Sequence, residues 1–258
     1  MSNEFYEIER TWSEDSGEYD ELVRRQLSNK KDVAHWMHEL SSVLGEKPLR
    51  ILDVGCGPGF LSILLSRLGH EVKAIDGAEG MVSFANRNFR AAGVSVRAYL
   101  EDAVTLPDEQ EESYDIVISR DVVWTLYDPE QAFLRWKSVL KPGGQMIFYD
   151  GDYQKRKHSK KVKLWKAFSA LLILLTEHKR IQNGTDGGAF DRLPMVSSKR
   201  PEKDIELLRK TGFRKFHVSM DRYRNSITHP EYWKYGYQGK KFRVVAWKSS
   251  RPSNTSRQ

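Results

Sequence analysis

The chain is poor in cysteine: Cys56 alone among 258 residues. That excludes an internal disulfide and any cysteine-rich metal site. Long hydrophobic runs are also missing. A bilayer span needs roughly 18 consecutive apolar residues, and the longest patch here, Ala170–Leu175, falls far short. The opening Met1-Ser2-Asn3-Glu4, with further acids behind it, lacks the basic and apolar blocks of a secretory leader, so the expected compartment is the cytosol. No internal repeat is present. What remains is a globular composition, with 39% hydrophobic and 30% charged residues, which argues against wholesale disorder.

Charge is unevenly spread. Residues 1–150 carry 16 Lys and Arg against 26 Asp and Glu, whereas residues 151–258 carry 26 against 9. A basic half attracts nucleic acid, anionic lipid or an acidic small substrate, or simply forms solvated helix faces. Periodicity supplies the framework. Val33, Trp36, Met37, Leu40 and Leu44 form one helical stripe over 32–44, closed by Gly45. Short apolar strands are expected at 51–54, 71–75, 94–99, 114–119 and 145–149. Helices are expected between them at 60–68, 81–92 and 129–140, with Lys141-Pro142-Gly143-Gly144 as a turn. Such alternation specifies a parallel sheet covered by helices on both faces. A less regular stretch follows, with a helix over Lys161–His178 whose Leu164, Trp165, Phe168, Leu171, Leu172 and Leu175 are expected to face inward. The glycine-rich loop 183–188 comes next. A helix from Pro201 to Gly212 and strands at 213–220 and 242–247 complete the pattern. The expected organisation is an N-terminal helical segment (1–45), an α/β core (46–150), a cap insertion (151–200), the rest of the core (201–248) and a polar tail (249–258).

The segment Asp53-Val54-Gly55-Cys56-Gly57-Pro58-Gly59 joins a strand to a helix, where glycines let a ligand approach the main chain. A dinucleotide turn requires G-x-G-x-x-G. Counted from Gly55 the third glycine position holds Phe60, and the glycine stands at 59. Asp53, just ahead of the turn, is awkward beside a pyrophosphate and useful beside a cation. Asp76 closes the next strand. The chemistry favours a cationic, phosphate-free nucleoside such as S-adenosyl-L-methionine.

In order along residues 50–150 the chain resembles class I S-adenosylmethionine-dependent methyltransferases of the broad small-molecule, type 11 kind. The resemblance rests on Asp53 through Gly59, on Asp76-Gly77-Ala78 with Met81, and on Glu101-Asp102-Ala103 with Leu106-Pro107. Tyr114-Asp115-Ile116-Val117 with Ser119-Arg120, and Leu140 through Gly144, complete it. It implies a doubly wound, mostly parallel seven-stranded sheet with a helical cap after the fifth strand, and S-adenosyl-L-methionine as cofactor. It implies roles as well. Asp53, Gly55, Gly57 and Gly59 belong to the methionine and ribose end, and Asp76 takes the ribose diol. Gly77 and Met81 flank the adenine, and Asp102 and Ala103 bond it. Ser119 and Arg120 stand beside the sulfonium. Tyr19 is a further candidate, because similar enzymes cover the methionine carboxylate with an N-terminal aromatic.

Methyl transfer is an in-line displacement that depends on proximity, with a general base where the acceptor must lose a proton. Asp152, Tyr153, His158, His178, Asp186 and Asp191 are candidates, and no spacing singles one out. Trp124 and Tyr153 are the expected acceptor-pocket residues. Two nucleic-acid classes are disfavoured. Ser119-Arg120-Asp121-Val122 replaces the Asn/Asp-Pro-Pro-Tyr/Phe signature of base-amine methylation, and the only cysteine lies in the glycine turn, not where a cytosine-attacking nucleophile belongs. Nine Lys and Arg between Lys155 and Arg180 suit an anionic, partly apolar small acceptor or an anionic surface. A small-molecule methyltransferase leads, ahead of an RNA or protein methyltransferase docking through the basic half and of a non-catalytic binder of the cofactor. No metal is implied, and the pattern specifies no oligomeric state.

Overall fold

The computed structural model describes residues 3–153, 160–177 and 189–250. Two helices lead, α1 (Asn3–Ser28) and α2 (Lys30–Leu44). They are separate because Asn29 breaks and caps: its side chain accepts hydrogen bonds from the Lys31 and Asp32 N–H groups at 3.1 and 3.5 Å. Strands and helices then alternate through β1 (Arg50–Val54), α3 (Phe60–Arg67), β2 (Glu71–Asp76), α4 (Glu79–Ala92), β3 (Arg97–Leu100), β4 (Tyr114–Arg120), α5 (Pro129–Val139) and β5 (Leu140–Gly151). After β5 come α6 (Lys160–Glu177), α7 (Glu202–Lys210), β6 (Lys215–Met220), α8 (Pro230–Tyr235) and β7 (Lys241–Trp247).

The seven strands form one sheet in the order β3-β2-β1-β4-β5-β7-β6. The first five are parallel, and β7 inserts antiparallel between β5 and β6. Alternate residues of each strand feed opposite cores. Leu52, Val54, Val117 and Phe148 pack with Phe133 and Trp136 of α5 and Leu208 of α7. Ile51, Ile118 and Ile147 pack on the other face with Trp36 and Leu40 of α2 and Leu64 of α3. Strand order reverses between β1 and β4. Helices leave those strands on opposite faces, which opens a crevice beyond their carboxyl ends.

The N-terminal helical segment consists of one long helix, α1, followed directly by α2. Two local expectations need correction. Residues 141–144 belong to β5: Leu140 pairs with Tyr114 and Gln145 with Ile116, and the residues between bulge out of register. Helix α6 forms, but most of its leucine stripe points outward. Leu164 is 78% exposed and Phe168 51% exposed, while Ser169 and Ile173 are buried. The covered face is set by α8: the Ser169 hydroxyl donates to the Lys234 carbonyl, and the Trp165 indole donates to the Trp233 carbonyl at 3.2 Å. Loop 183–188 lies outside the described residues.

Candidate active site

The crevice at the carboxyl ends of β1, β2 and β4 has a volume of about 1780 Å³. That exceeds the roughly 300–1,000 Å³ of a single small-molecule pocket, so there is space for two ligands. One half is built on β1 and β2. Gly57 has φ +52°, a left-handed backbone, and a Cβ added there would meet nothing within 4 Å. The main chain is therefore bare toward the crevice, a cradle that a side chain would fill. Asp76, at the end of β2, accepts from the Gly57 N–H at 2.8 Å and the Ala78 N–H at 3.0 Å, one on each oxygen. Each oxygen keeps acceptor capacity, and Asp76 lines the crevice, the pattern a vicinal diol needs. Burial pushes the Asp76 carboxyl up to about 6, against the pull of those two N–H groups.

Asp53 is buried at the end of β1 and accepts from the Ser62 hydroxyl of α3 at 2.5 Å. Burial raises its carboxyl to about 7, the Ser62 hydrogen bond opposes this, and Asp76 adds to it. A carboxylate held so close to neutrality gains from an incoming cation, and a phosphate would drive it further from ionising. The residues present fit S-adenosylmethionine, which brings a diol, an ammonium and a sulfonium. Met81, Gly77, Ala78 and Ala103 line the same half.

Asp102 also borders the crevice, but its carboxylate is engaged locally. It accepts from the Val104 N–H at 2.9 Å, the Thr105 hydroxyl at 2.8 Å and the Tyr127 hydroxyl at 2.7 Å. It therefore fixes the turn after β3, and the lone pair left to Oδ1 is what an adenine amine could use. Tyr19 lines the rim and packs edge-on against Trp12 of α1, with centroids 5.2 Å apart. Two sequence-predicted residues lie off the crevice wall. Gly59 has φ +94°, and a Cβ on it would come within 2.4 Å of the Phe89 ring, so this glycine serves helix packing. Ser119 is fully buried within the sheet, and its hydroxyl has no hydrogen-bond partner among the described residues. Gly55 is likewise a close-packing position, against Val122.

The other half of the crevice is built on β4, β5 and β7. Arg120 is sandwiched between Trp36 and Phe60, 4.9 and 4.8 Å from the ring centroids, and bonds Gln26 of α1 at 3.2 Å. Asp121 adopts φ +57°, a conformation that Asp tolerates better than most residues. Its Oδ1 accepts from the Tyr153 hydroxyl at 2.5 Å. The Trp124 indole bonds the Asp121 carbonyl at 2.9 Å and its backbone N–H bonds Asp150 at 3.2 Å. Asp150 is buried and pairs with Arg200 at 3.1 Å, and Arg200 also pairs with Asp204.

Proton chemistry here is constrained. Burial acts to raise the Asp121 carboxyl, but Lys241, Arg224 and Arg120 outweigh it and hold it well below the ordinary carboxylate range. Burial and Asp121 push the Tyr153 hydroxyl upward. Neither group takes a proton readily near neutrality. Asp152 accepts weakly from the Arg200 backbone at 3.4 Å and is not on the crevice wall. His158, His178, Asp186 and the Asp191 side chain lie outside the described residues. Sequence reasoning missed Glu9, Trp12, Trp36, Arg224 and Lys241, all of which line the crevice. Burial, then Asp102 and Asp76, raise Glu9 to about 7. The helical spacing of Trp36 marked it only as core.

Comparison with known proteins places this geometry. Residues 52–148 match the family described as methyltransferase domain. A ubiquinone biosynthesis O-methyltransferase of Dinoroseobacter shibae is 34% identical over 127 residues, covering 48% of this chain and 50% of that protein. The chain thus spans about half the length of the curated relatives it matches. Among solved structures, Haemonchus contortus phosphoethanolamine N-methyltransferase 2, in complex with phosphomonomethylethanolamine and S-adenosylhomocysteine, superposes with a TM-score of 0.58 at 18% identity. The match covers 84% of this chain and 53% of that one. The [4+2]-cyclase SpnF superposes with a TM-score of 0.57 at 18% identity, covering 84% and 81%. These structural likenesses establish the fold, and the sequence match establishes the domain. Residues 52–148 therefore match a methyltransferase domain, carried on a seven-stranded, Rossmann-like sheet.

Proposed function

We propose that the chain transfers the methyl group of S-adenosylmethionine, in line, to an oxygen, nitrogen or carbon atom of a small molecule. The observation that carries this is the pair of carboxylates on adjacent strand ends, Asp53 and Asp76, around the bare glycine backbone at 57. Oxygen is the favoured acceptor atom, because the curated relatives are named as O-methyltransferases.

When bound, the cofactor supplies a methyl carbon activated by its sulfonium. The chain supplies position and exclusion of water. Asp76 would hold the ribose diol, and the bare backbone at Gly57 would support the methionyl end. Asp53 ionises fully as the ammonium arrives. Trp12 and Trp124, with centroids 6.1 Å apart, close the acceptor half from α1 and the loop after β4. Because Asp121 is held ionised and Tyr153 protonated, the acceptor is expected to arrive with its lone pair already available, as a phenolate or a neutral amine. Orientation then accounts for most of the rate.

The test is calorimetry with S-adenosylmethionine and S-adenosylhomocysteine, followed by transfer of labelled methyl to fractions of a metabolite extract. Both ligands are expected to bind, and Asp76→Ala to weaken them at least about tenfold, the cost of a buried charged acceptor. No binding by either ligand overturns the proposal. Because SpnF has this fold and a different reaction in its name, binding without labelled product would leave the cofactor assignment standing and remove the transferase.

A further inference from the structure

Three cations converge on one carboxylate in the half of the crevice away from Asp53 and Asp76. Asp121 lies 3.5 Å from Arg120 Nε, 3.6 Å from Arg224 Nη1 and 3.5 Å from Lys241 Nζ. Among the described residues, one of these charges has a second carboxylate: Arg224 Nε bonds Asp221 at 2.5 Å. Asp150, the next acid along the sheet, is committed to Arg200, which it shares with Asp204. Asp53 accepts from the Ser62 hydroxyl through one oxygen. Lys241 donates to the Tyr153 hydroxyl and sits 4.0 Å from the centre of that ring. Arg224 stacks 5.3 Å from the Trp36 ring centre, and its Nη2 atom is buried with no hydrogen-bond partner among the described residues. A buried guanidinium donor without an acceptor is costly and uncommon in a finished site.

Topology separates this cluster from the cofactor half. Along the sheet edge the order runs β2, β1, β4, β5, β7. Asp76 and Asp53 end the first two of these strands. Asp121 follows β4, Tyr153 follows β5, and Lys241 opens β7, which is antiparallel and so starts at the same edge. A ligand seated on β1 and β2 leaves the cations facing the second ligand. Trp36, Trp124 and Tyr153 flank that space with apolar surface.

We infer that Arg224 and Lys241 form an oxyanion-recognition subsite for the methyl acceptor, which takes a carboxylate carried on an aromatic or apolar body. This rests on the proposed methyl transfer and adds the acceptor's class to it. An arginine with its Nε engaged by Asp221 and its buried Nη2 unpaired, beside a lysine with remaining donors, supplies donors for the two oxygens of a carboxylate. Burial and Arg224 both pull the Lys241 ammonium down while Asp121 supports it, so an added anion relieves strain already present among like charges. The aromatic flanks account for the apolar body. The geometry places the anion far from the diol-binding Asp76, so its absence from the acceptor should leave cofactor binding intact.

The test uses the full chain saturated with S-adenosylhomocysteine and two matched probes, benzoate and benzamide, titrated by ligand-observed NMR. Benzoate is expected to bind at least about tenfold more tightly than benzamide, the advantage of a charge-assisted pair over a neutral one. In Lys241→Met and in Arg224→Gln that preference should fall below about twofold, while affinity for S-adenosylhomocysteine stays within about twofold of the parent. Lys241→Met keeps the length of the apolar stem, so it carries the test if Arg224→Gln fails to fold. Equal binding of both probes by the parent overturns the inference, as does a preference that survives Lys241→Met. So does a parallel loss of S-adenosylhomocysteine affinity, which would assign the cations to the cofactor's own carboxylate. If the parent does not bind S-adenosylhomocysteine at all, the methyl-transfer proposal fails first and the two failures are told apart.

Discussion

Between about pH 8 and pH 5, affinity for S-adenosylhomocysteine should fall by about three decades. The cause is protonation of the two strand-end carboxylates in the ligand-free protein. Asp53 titrates near 7 and Asp76 near 6, both raised chiefly by burial. A ligand ammonium and a ribose diol favour the ionised forms, so below each value affinity drops tenfold per pH unit. At pH 5 the first group costs roughly a factor of 100 and the second roughly a factor of 10. The two interact, since Asp76 raises Asp53, so the values belong to the pair and the steps overlap. Methylthioadenosine separates them: it keeps the diol and lacks the ammonium, so its affinity should fall only about tenfold over the same range. Calorimetric titrations of both ligands at several pH values read this out. Asp53→Asn should flatten the S-adenosylhomocysteine profile to the methylthioadenosine slope. A flat profile in the parent, or equal slopes for the two ligands, would refute the assignment of Asp53 to the cationic end.

The same groups set a stability trend in the absence of ligand. Their folded values lie above the ordinary carboxylate value of 3.8. The folded chain therefore holds protons that the unfolded chain has released, and the stability they contribute is complete below about pH 4 and is lost as pH rises through 6 and 7. Asp53→Asn removes that loss, because an amide can still accept from the Ser62 hydroxyl. At about pH 8 the ligand-free variant should melt at least about 3 °C above the parent, a shift of roughly 1 kcal/mol for a chain of this size, while binding the cofactor more weakly. A melting temperature below the parent's at that pH would place the cost of Asp53 elsewhere.

Gly57→Ala should weaken S-adenosylhomocysteine at least about tenfold while costing only about 1 kcal/mol of stability, because its Cβ enters open crevice from a left-handed backbone. Gly59→Ala should do the reverse in proportion: its Cβ would strike the Phe89 ring at 2.4 Å, so loss of folded protein by thermal melt precedes any specific loss of binding. Arg200→Met leaves Asp150 and Asp204 without their shared cation, and chemical denaturation should register about 3–5 kcal/mol of destabilisation.

What was legible in the sequence and what was not follow from how each residue is held. The strand–turn–helix grammar from β1 to β5 is punctuated by glycine, proline and acids at fixed offsets, and those local signals place Asp53, Gly57 and Asp76 without any knowledge of packing. The two glycines at 57 and 59 look alike in the chain and differ in the fold, because a Cβ on Gly59 would strike Phe89 of α4 and a Cβ on Gly57 would meet nothing within 4 Å. Helix α6 makes the same point at larger scale. Its spacing predicts a helix correctly, but periodicity identifies an apolar stripe and not the neighbour that covers it. Here α8 covers the Ser169–Ile173 side and leaves Leu164, Phe168, Leu171 and Leu175 outside. The cation cluster was hidden for a different reason. Asp121, Tyr153 and Arg224 sit in three separate connections and Lys241 at the start of β7, and no spacing rule joins them. Only the insertion of antiparallel β7 beside β5 turns Lys241 toward the crevice mouth. The proposed cofactor half, built on main-chain shape, is thus written locally, and the proposed acceptor half, built on side-chain charge, is written in the strand order. Exchanging Lys241 should accordingly alter which acceptor is chosen without altering which cofactor is held.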